Sequence, residues 1–404
     1  MSPSLYVHIP FCLKRCIYCD FVSGIYNPAR ADIYIEALKK EISNISNEKP
    51  ISTLFIGGGT PTALSANALS DLINHIFTHF SFTENYEATI EANPGTLDKE
   101  KLQALRSSGI NRLSIGIQSF NDNELSFLGR IHTSGEAEQA VHLAKESGFE
   151  NVGIDLIYGI PGQSFASWMV TLEKAVSLKP KHISTYELTV EEGTLLYGYL
   201  KNPPTSPFSK GGESSLLWQR GARGDFSIKT LLPDEDKIIE MYEHTIDYLT
   251  ADGYSHYEIS NFAMPGYQCR HNITYWNRGE YCGAGPGAHS FINGKRFHNT
   301  DDLDEYLKLV SENMSPVNGS ETITEDMALS EALFLGLRKT GGVNVEAFSR
   351  RYNKNILSHY QQEIDDLREA GLLEVASSDC SYETTLRLTR KGLVLSNEVF
   401  TKFI

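Results

Sequence analysis

Six short runs rich in β-branched and aromatic residues recur along the first half of the chain, at 5–9, 53–56, 87–92, 112–117, 152–157 and 182–188. Each has the length and composition of a strand. The stretches between them, at 31–45, 66–77, 98–108 and 137–147, carry apolar residues at spacings of three and four and often close on glycine, as helices do. Strand and helix therefore alternate, which predicts a parallel sheet covered by helices, with functional residues at the carboxyl ends of the strands. Six such units over residues 1–200 predict an α/β fold in the form of an incomplete, open (β/α)6 barrel.

The pattern breaks at 201–233, where Pro203-Pro204, Pro207, Gly211-Gly212 and several serines accompany five Lys or Arg against two acids. So little apolar surface does not offset the entropy of ordering, and the segment reads as a flexible insertion. A helix is expected at 235–252, followed by a Gly- and aromatic-rich stretch at 253–290; residues 234–320 are read as a region that completes the barrel and binds a ligand. From 321 to 404 helical patterns at 325–337, 345–352 and 358–370 precede strand-like pieces at 372–375 and 385–388, the order of a winged helix. That last segment holds 10 Lys or Arg against 13 Asp or Glu, so it is read as a packing module and not a DNA reader.

Composition narrows the classes. A chain of 404 residues with 41% hydrophobic and 22% charged residues is an ordinary globular protein too long for one core. A net charge of −15 and a pI near 5.3 speak against a broad nucleic-acid or anionic-lipid footprint. No basic leader and no uncharged run of membrane-spanning length is present, so the expectation is a cytoplasmic protein without an integral membrane segment; a peripheral membrane contact stays open. Six cysteines in such a chain argue against a disulfide framework. Cys269, Cys282 and Cys380 are scattered and read as small buried hydrophobes.

The other three lie in Cys12-Leu13-Lys14-Arg15-Cys16-Ile17-Tyr18-Cys19, directly after the first strand. Three thiolates on one loop can wrap one corner of a cubane iron-sulfur cluster and leave one iron open, whereas a structural zinc site wants a fourth ligand that Asp20 and His8 supply poorly. The pattern Cys-x3-Cys-x2-Cys, with the aromatic Tyr18 before its last cysteine, resembles the radical S-adenosylmethionine superfamily. Tyr6-Val7-His8-Ile9-Pro10-Phe11 ahead of it and Gly57-Gly58-Gly59-Thr60-Pro61-Thr62 after the second strand narrow the resemblance to the oxygen-independent coproporphyrinogen III dehydrogenase family.

The resemblance implies a [4Fe-4S] cluster on Cys12, Cys16 and Cys19. It also implies S-adenosylmethionine held by the glycine run, with its methionine amino group near Gly57, Gly58, Gly59 and Thr60. Tyr6, Tyr18, Glu91, Gln118, Arg130 and Asp155 fall on motifs the family uses around this cofactor. Taken singly, each of the last four also reads as an ordinary capping or ion-pair residue at a strand end. In such a family the open iron chelates the amino and carboxylate groups, and an electron from the cluster breaks a carbon-sulfur bond.

Two departures point to a particular branch. The dehydrogenase carries a fourth cysteine where this chain has Phe21, and a longer N-terminal arm than one whose first strand begins at residue 5. The heme-chaperone branch shares the fold and has His-Asn-x-x-Tyr-Trp, present here as His271-Asn272-Ile273-Thr274-Tyr275-Trp276. The motif offers an imidazole able to ligate iron and two aromatic faces able to pack on a porphyrin, with Arg270 as a propionate partner. A lone histidine beside aromatics is more often a satisfied core residue, and Cys269 or Cys282 are alternative thiolate ligands. Heme and an acceptor such as a respiratory cytochrome are thus the expected partners, and nucleic acid is not. The rival reading is an enzyme of porphyrin biosynthesis acting on coproporphyrinogen III.

Overall fold

Six strands, β1 (Ser4–Ile9), β2 (Ile51–Gly58), β3 (Phe82–Ala92), β4 (Arg112–Gln118), β5 (Asn151–Tyr158) and β6 (His182–Glu187), pair in parallel and in chain order in the computed structural model. The structure describes residues 2–46, 49–201, 232–377 and 383–404; the expected insertion falls outside the described residues between 202 and 231, as does Cys380. All six strands stand where the hydrophobic pattern predicts them.

Side chains of opposite parity on a strand face opposite sides of the sheet. One parity, including Leu5, Val7, Ile9, Leu54, Ile56, Ile90, Leu113, Ile115, Ile154 and Ile183, is fully buried in the main core. The helices on that side are α1 (Pro28–Asn44), α2 (Ala66–His79), α3 (Lys99–Ser107), α5 (Ser134–Glu146) and α6 (Phe165–Ser177), while α4 (Asp122–Leu128) buries Phe127 and Leu128 in a smaller cluster with Ile157 and Leu188. α2 is typical: Ser65 caps it by accepting from Ala68 N, and it buries Leu69, Leu72, Ile73 and Ile76 at helical spacing. The other parity is polar and faces the concave side, with Glu91, Arg112, Ser114, Asp155, His182 and Ser184 opening onto one cleft.

After α7 (Leu195–Lys201) and α8 (Glu235–Ala251), the chain extends both edges of this sheet. β7 (Ser255–Glu258) and β8 (Asn261–Ala263) form a hairpin whose β8 pairs antiparallel with β6. α9 (Arg270–Trp276) then crosses to β9 (Tyr281–Ala284), which runs parallel beside β1. β10 (His289–Ile292), β11 (Lys295–Asn299) and β12 (Val317–Thr322) continue antiparallel. The twelve-stranded order is β12-β11-β10-β9-β1-β2-β3-β4-β5-β6-β8-β7, so residues 234–320 lengthen an open sheet instead of closing a ring.

Beyond α10 (Leu303–Ser311), the C-terminal part comprises α11 (Glu325–Leu337), β13 (Val343–Asn344), α12 (Val345–Tyr352), α13 (Ile356–His359), α14 (Gln361–Glu369), β14 (Leu373–Ser377), β15 (Thr384–Leu388), α15 (Arg390–Val394) and α16 (Ser396–Phe400). Its three-stranded sheet, ordered β13-β15-β14, packs over a separate core around Leu333, Leu337, Ile356, Leu386 and Val399. This is the winged-helix order, with the helix expected at 358–370 broken at Tyr360, where φ −112° and ψ 36° leave the helical region. Glu331 of α11 takes Arg278 Nε at 2.9 Å and also Arg296, tying this part to the sheet. No helix among the described residues is long and apolar enough to cross a membrane.

Candidate functional site: a cysteine loop over a polar barrel interior

The cysteine loop is closed at its base by backbone bonds: Tyr26 N donates to Cys12 O at 2.8 Å and Gly24 N to Pro10 O at 2.9 Å. His8 of β1 donates from Nε2 to Val22 O at 2.7 Å and accepts at Nδ1 from Tyr6 Oη at 2.9 Å, pinning the returning limb. Ile17 N donates to Leu128 O, and Leu196 N to Ile17 O, so α4 and α7 hold the tip. Cys12, Cys16 and Cys19 are all free thiols and all line the same cleft of about 810 Å³. Burial pushes the Cys12 thiol up and that of Cys19 up to about 11, so metal loading displaces protons here.

The glycine run is bonded to this loop. Gly59 N donates to Ile9 O at 2.8 Å and Thr60 N to Phe11 O at 2.7 Å, while Thr60 Oγ1 lies 3.5 Å from Cys12 Sγ. A Cβ on Gly59 would stand 2.7 Å from Phe11 O, so only glycine permits this approach. Gly58, at φ +107°, donates its N–H to Glu91 Oε2 at 3.1 Å. Burial and the neighbouring Asp155 push the Glu91 carboxyl up to about 8. Asp155 accepts from Ser184 Oγ at 2.7 Å and from Ser114 Oγ at 3.2 Å. Gln118, at φ +71°, ends β4 in a conformation costly for a non-glycine residue, of the kind that clusters at functional sites. Arg130 bridges the two loops, Nη2 donating to Gly116 O at 2.5 Å and Nη1 lying 3.5 Å from Cys16 Sγ.

The cleft therefore unites Cys12, Cys16, Cys19, Tyr18, Gly58, Gly59, Thr60, Glu91, Gln118, Arg130 and Asp155. Tyr6 and Gly57 stand behind it: Tyr6 stacks on Phe55, which does line the cleft, and a Cβ at Gly57 would meet Glu91 Oε2 at 2.9 Å. These two stand in the wall behind the residues that line the cleft.

The histidine motif lies apart from the cleft's lining, save for Asn272. His271 is 1% exposed and both its ring nitrogens are engaged, Nδ1 with Thr53 Oγ1 and Nε2 with Tyr275 Oη, each at 2.8 Å. Thr53 donates onward to Ser4 and Ser4 to Thr274, so the tautomer follows from the chain: Nδ1 donates and Nε2 accepts. Glu87 Oε1 and Oε2 accept from the N–H groups of His271 and Arg270, an anion at the start of α9. Neither His271 nor Tyr275 opens onto the cleft; Trp276 packs against Arg338, whose guanidinium lies 4.3 Å from a ring centroid. This short helix is fastened to Ser4 of β1, Thr53 of β2 and Glu87 of β3, with both His271 ring nitrogens engaged by protein groups. Of the motif, Asn272 reaches the cleft, as does the preceding Cys269.

Sequence reasoning missed Arg112, His182 and Tyr186 inside the barrel and Arg338, Leu393, Val394, Ser396 and Asn397 from the C-terminal part, all of which line the cleft. The first three had a legible signal: polar residues alternate with aliphatic ones in strands that a filled barrel would make apolar on both faces. The last five had none, because only the docking of two cores brings them to the mouth.

The model of the Radical SAM superfamily matches residues 6–175, and that of the HemN C-terminal domain matches residues 323–395. The solved coproporphyrinogen III oxidase (HemN) of Escherichia coli superposes with a TM-score of 0.80 at 24% identity, covering 100% of this chain and 90% of that one, a likeness of fold. The heme chaperone HemW of Bacillus subtilis is 36% identical over 99% of both chains, and that of Lactococcus lactis 37% identical over 99% of this chain and 97% of its own. The chain belongs to the HemW family of radical SAM proteins.

Proposed function

We propose that this protein is a cytoplasmic heme chaperone that carries a [4Fe-4S] cluster on Cys12, Cys16 and Cys19, binds S-adenosylmethionine beside it, and delivers heme to an acceptor such as a respiratory cytochrome. One observation carries the reading: a single cleft is lined both by three free thiols and by the apolar side chains of Ile238, Ile239, Tyr242, Leu393 and Val394, with Arg338 among them. A flat apolar macrocycle with carboxylates suits that second set. The donor set fits the cluster, since three thiols with Arg130 and Thr60 beside two of them provide both ligands and polar contacts to sulfur.

In this reading Gly58, Gly59 and Thr60 bring backbone close to the methionine end of S-adenosylmethionine, while Glu91, Gln118, Arg130 and Asp155 orient the rest. When bound, the cluster and this cofactor supply one-electron chemistry. Arg130 holds a guanidinium beside the Cys16 sulfur. Phe21, 59% exposed on the cleft's rim, adds no further thiol there, which favours a chaperone over the dehydrogenase.

The test is anaerobic reconstitution with iron and sulfide, heme titration, and a coproporphyrinogen III turnover assay in the same tube. Stoichiometric heme binding, heme transfer to an apocytochrome and no turnover are expected, with Cys16→Ala losing the cluster's brown absorbance. Turnover without stable heme binding makes the protein an enzyme of porphyrin synthesis instead.

A further inference from the structure

Arg112 opens β4 on the floor of the cleft and is 1% exposed, yet neither its Nε nor its Nη1 has a hydrogen-bond partner. A buried charge is ordinarily paired and fully hydrogen-bonded, so such a group marks a missing ligand. The nearby carboxylates are committed elsewhere. Glu87 accepts from Cys269, Arg270 and His271, and Asp155 from Ser114 and Ser184; neither forms an ion pair with Arg112 among the described residues.

A second unpartnered polar atom stands beside it. His182 is also 1% exposed and its Nδ1 has no partner, while Nε2 lies 2.8 Å from Tyr257 Oη. Tyr257 Oη also accepts from Cys269 N, and in the tautomer where it donates to His182 Nε2 the free Nδ1 carries the ring's hydrogen. Between the two lies Gly153, where a Cβ would stand 3.3 Å from Arg112 Nη2 and 3.4 Å from His182 Cβ. The gap is kept open by the absence of a side chain.

Arg112 lies six residues before Gln118 on the same strand, about 20 Å along it, so a methionine carboxylate held at the cysteine end does not reach this floor. We propose that Arg112, with His182 beside it, receives a propionate carboxylate of heme at the floor of the cleft. The inference rests on the heme-binding reading and adds to it which residues recognise the ligand's acidic edge. A guanidinium is suited to this, since its planar fork pairs with carboxylates bidentately.

The experiment compares titrations of the reconstituted protein with heme and with heme dimethyl ester, whose propionates carry no charge. Wild type is expected to prefer heme by about tenfold or more, and Arg112→Gln to lose that preference while binding the ester as wild type does. Arg112→Lys should keep part of it. Should Arg112→Gln fail to fold by near-ultraviolet circular dichroism, Gly153→Ala, which keeps every charge and fills the gap, is expected to reduce the preference too. Equal weakening of both ligands, or an unchanged preference, overturns the proposal. Wild type that binds heme and ester alike overturns it and leaves the chaperone reading standing; wild type that binds neither overturns both. Equilibrium dialysis with S-adenosylmethionine should show no change in Arg112→Gln, and a loss there with heme preference intact reassigns the arginine to that cofactor's carboxylate and sinks the proposal.

Discussion

Glu91 and His271 show how burial decides what a polar residue can do. Glu91 faces the cleft with its carboxyl pushed up to about 8 by desolvation and Asp155, whereas an unfolded chain holds it near its ordinary value of 4.5. Between those two values the folded apoprotein binds the extra proton, so stability falls as pH rises through that window. Glu91→Gln should therefore flatten the dependence and be more stable than wild type at pH 8.5, by on the order of 2 kcal/mol, in denaturant melts of the apoprotein. Melts with equal pH slopes would refute the assignment. His271, pushed down to about 3 by burial and Arg112, stays neutral across this range. His271→Ala strands Thr53 and Tyr275 and should cost about 1–3 kcal/mol of apoprotein stability. Weakened heme binding by that variant thus requires a melting curve beside it before it is taken as loss of an iron ligand.

Elements act here through backbone contacts that side chains would forbid. The glycine loop after β2 and the cysteine loop after β1 are joined by Gly59 N to Ile9 O and Thr60 N to Phe11 O, and the facing atoms at Gly59 are backbone, which cannot swing aside. Gly59→Ala is expected to push the two loops apart and at least halve the iron retained per chain after anaerobic reconstitution. Gly135→Ala in α5, where nothing lies within 4 Å of the added methyl, should retain the wild-type iron content. Equal iron content in both variants would show that the loops do not need this contact.

At the scale of the whole molecule, the C-terminal part is joined to the sheet by Leu393, which packs against both cores, by backbone bonds between 257–259 and 338–340, and by ion pairs. Glu331, 10% exposed at its side chain, holds Arg278 and Arg296, and Arg390 pairs with Asp247 of α8 at 2.5 Å. Removing the shared acid by Glu331→Ala leaves Arg278, 10% exposed, without its acid and Arg296 with Glu321 alone, and should cost about 3 kcal/mol. Hydrogen exchange should then speed up in α11 while β1–β6 keep their protection, because the lost ion pairs join α11 to Arg278 and β11, outside those six strands. Uniform acceleration throughout would instead show one cooperative unit.

The sequence by itself determined the six parallel strands, the loop of three cysteines and the order of the C-terminal helices, because each follows from local periodicity or spacing within a few residues. Its motif resemblance also led to the family. Tertiary structure alone decided that His271 and Tyr275 face away from the cleft, since the side a short helix turns to the sheet depends on how it docks. It alone brought Arg338 and Leu393 to the mouth, contacts hundreds of residues from the cysteines that no local pattern encodes.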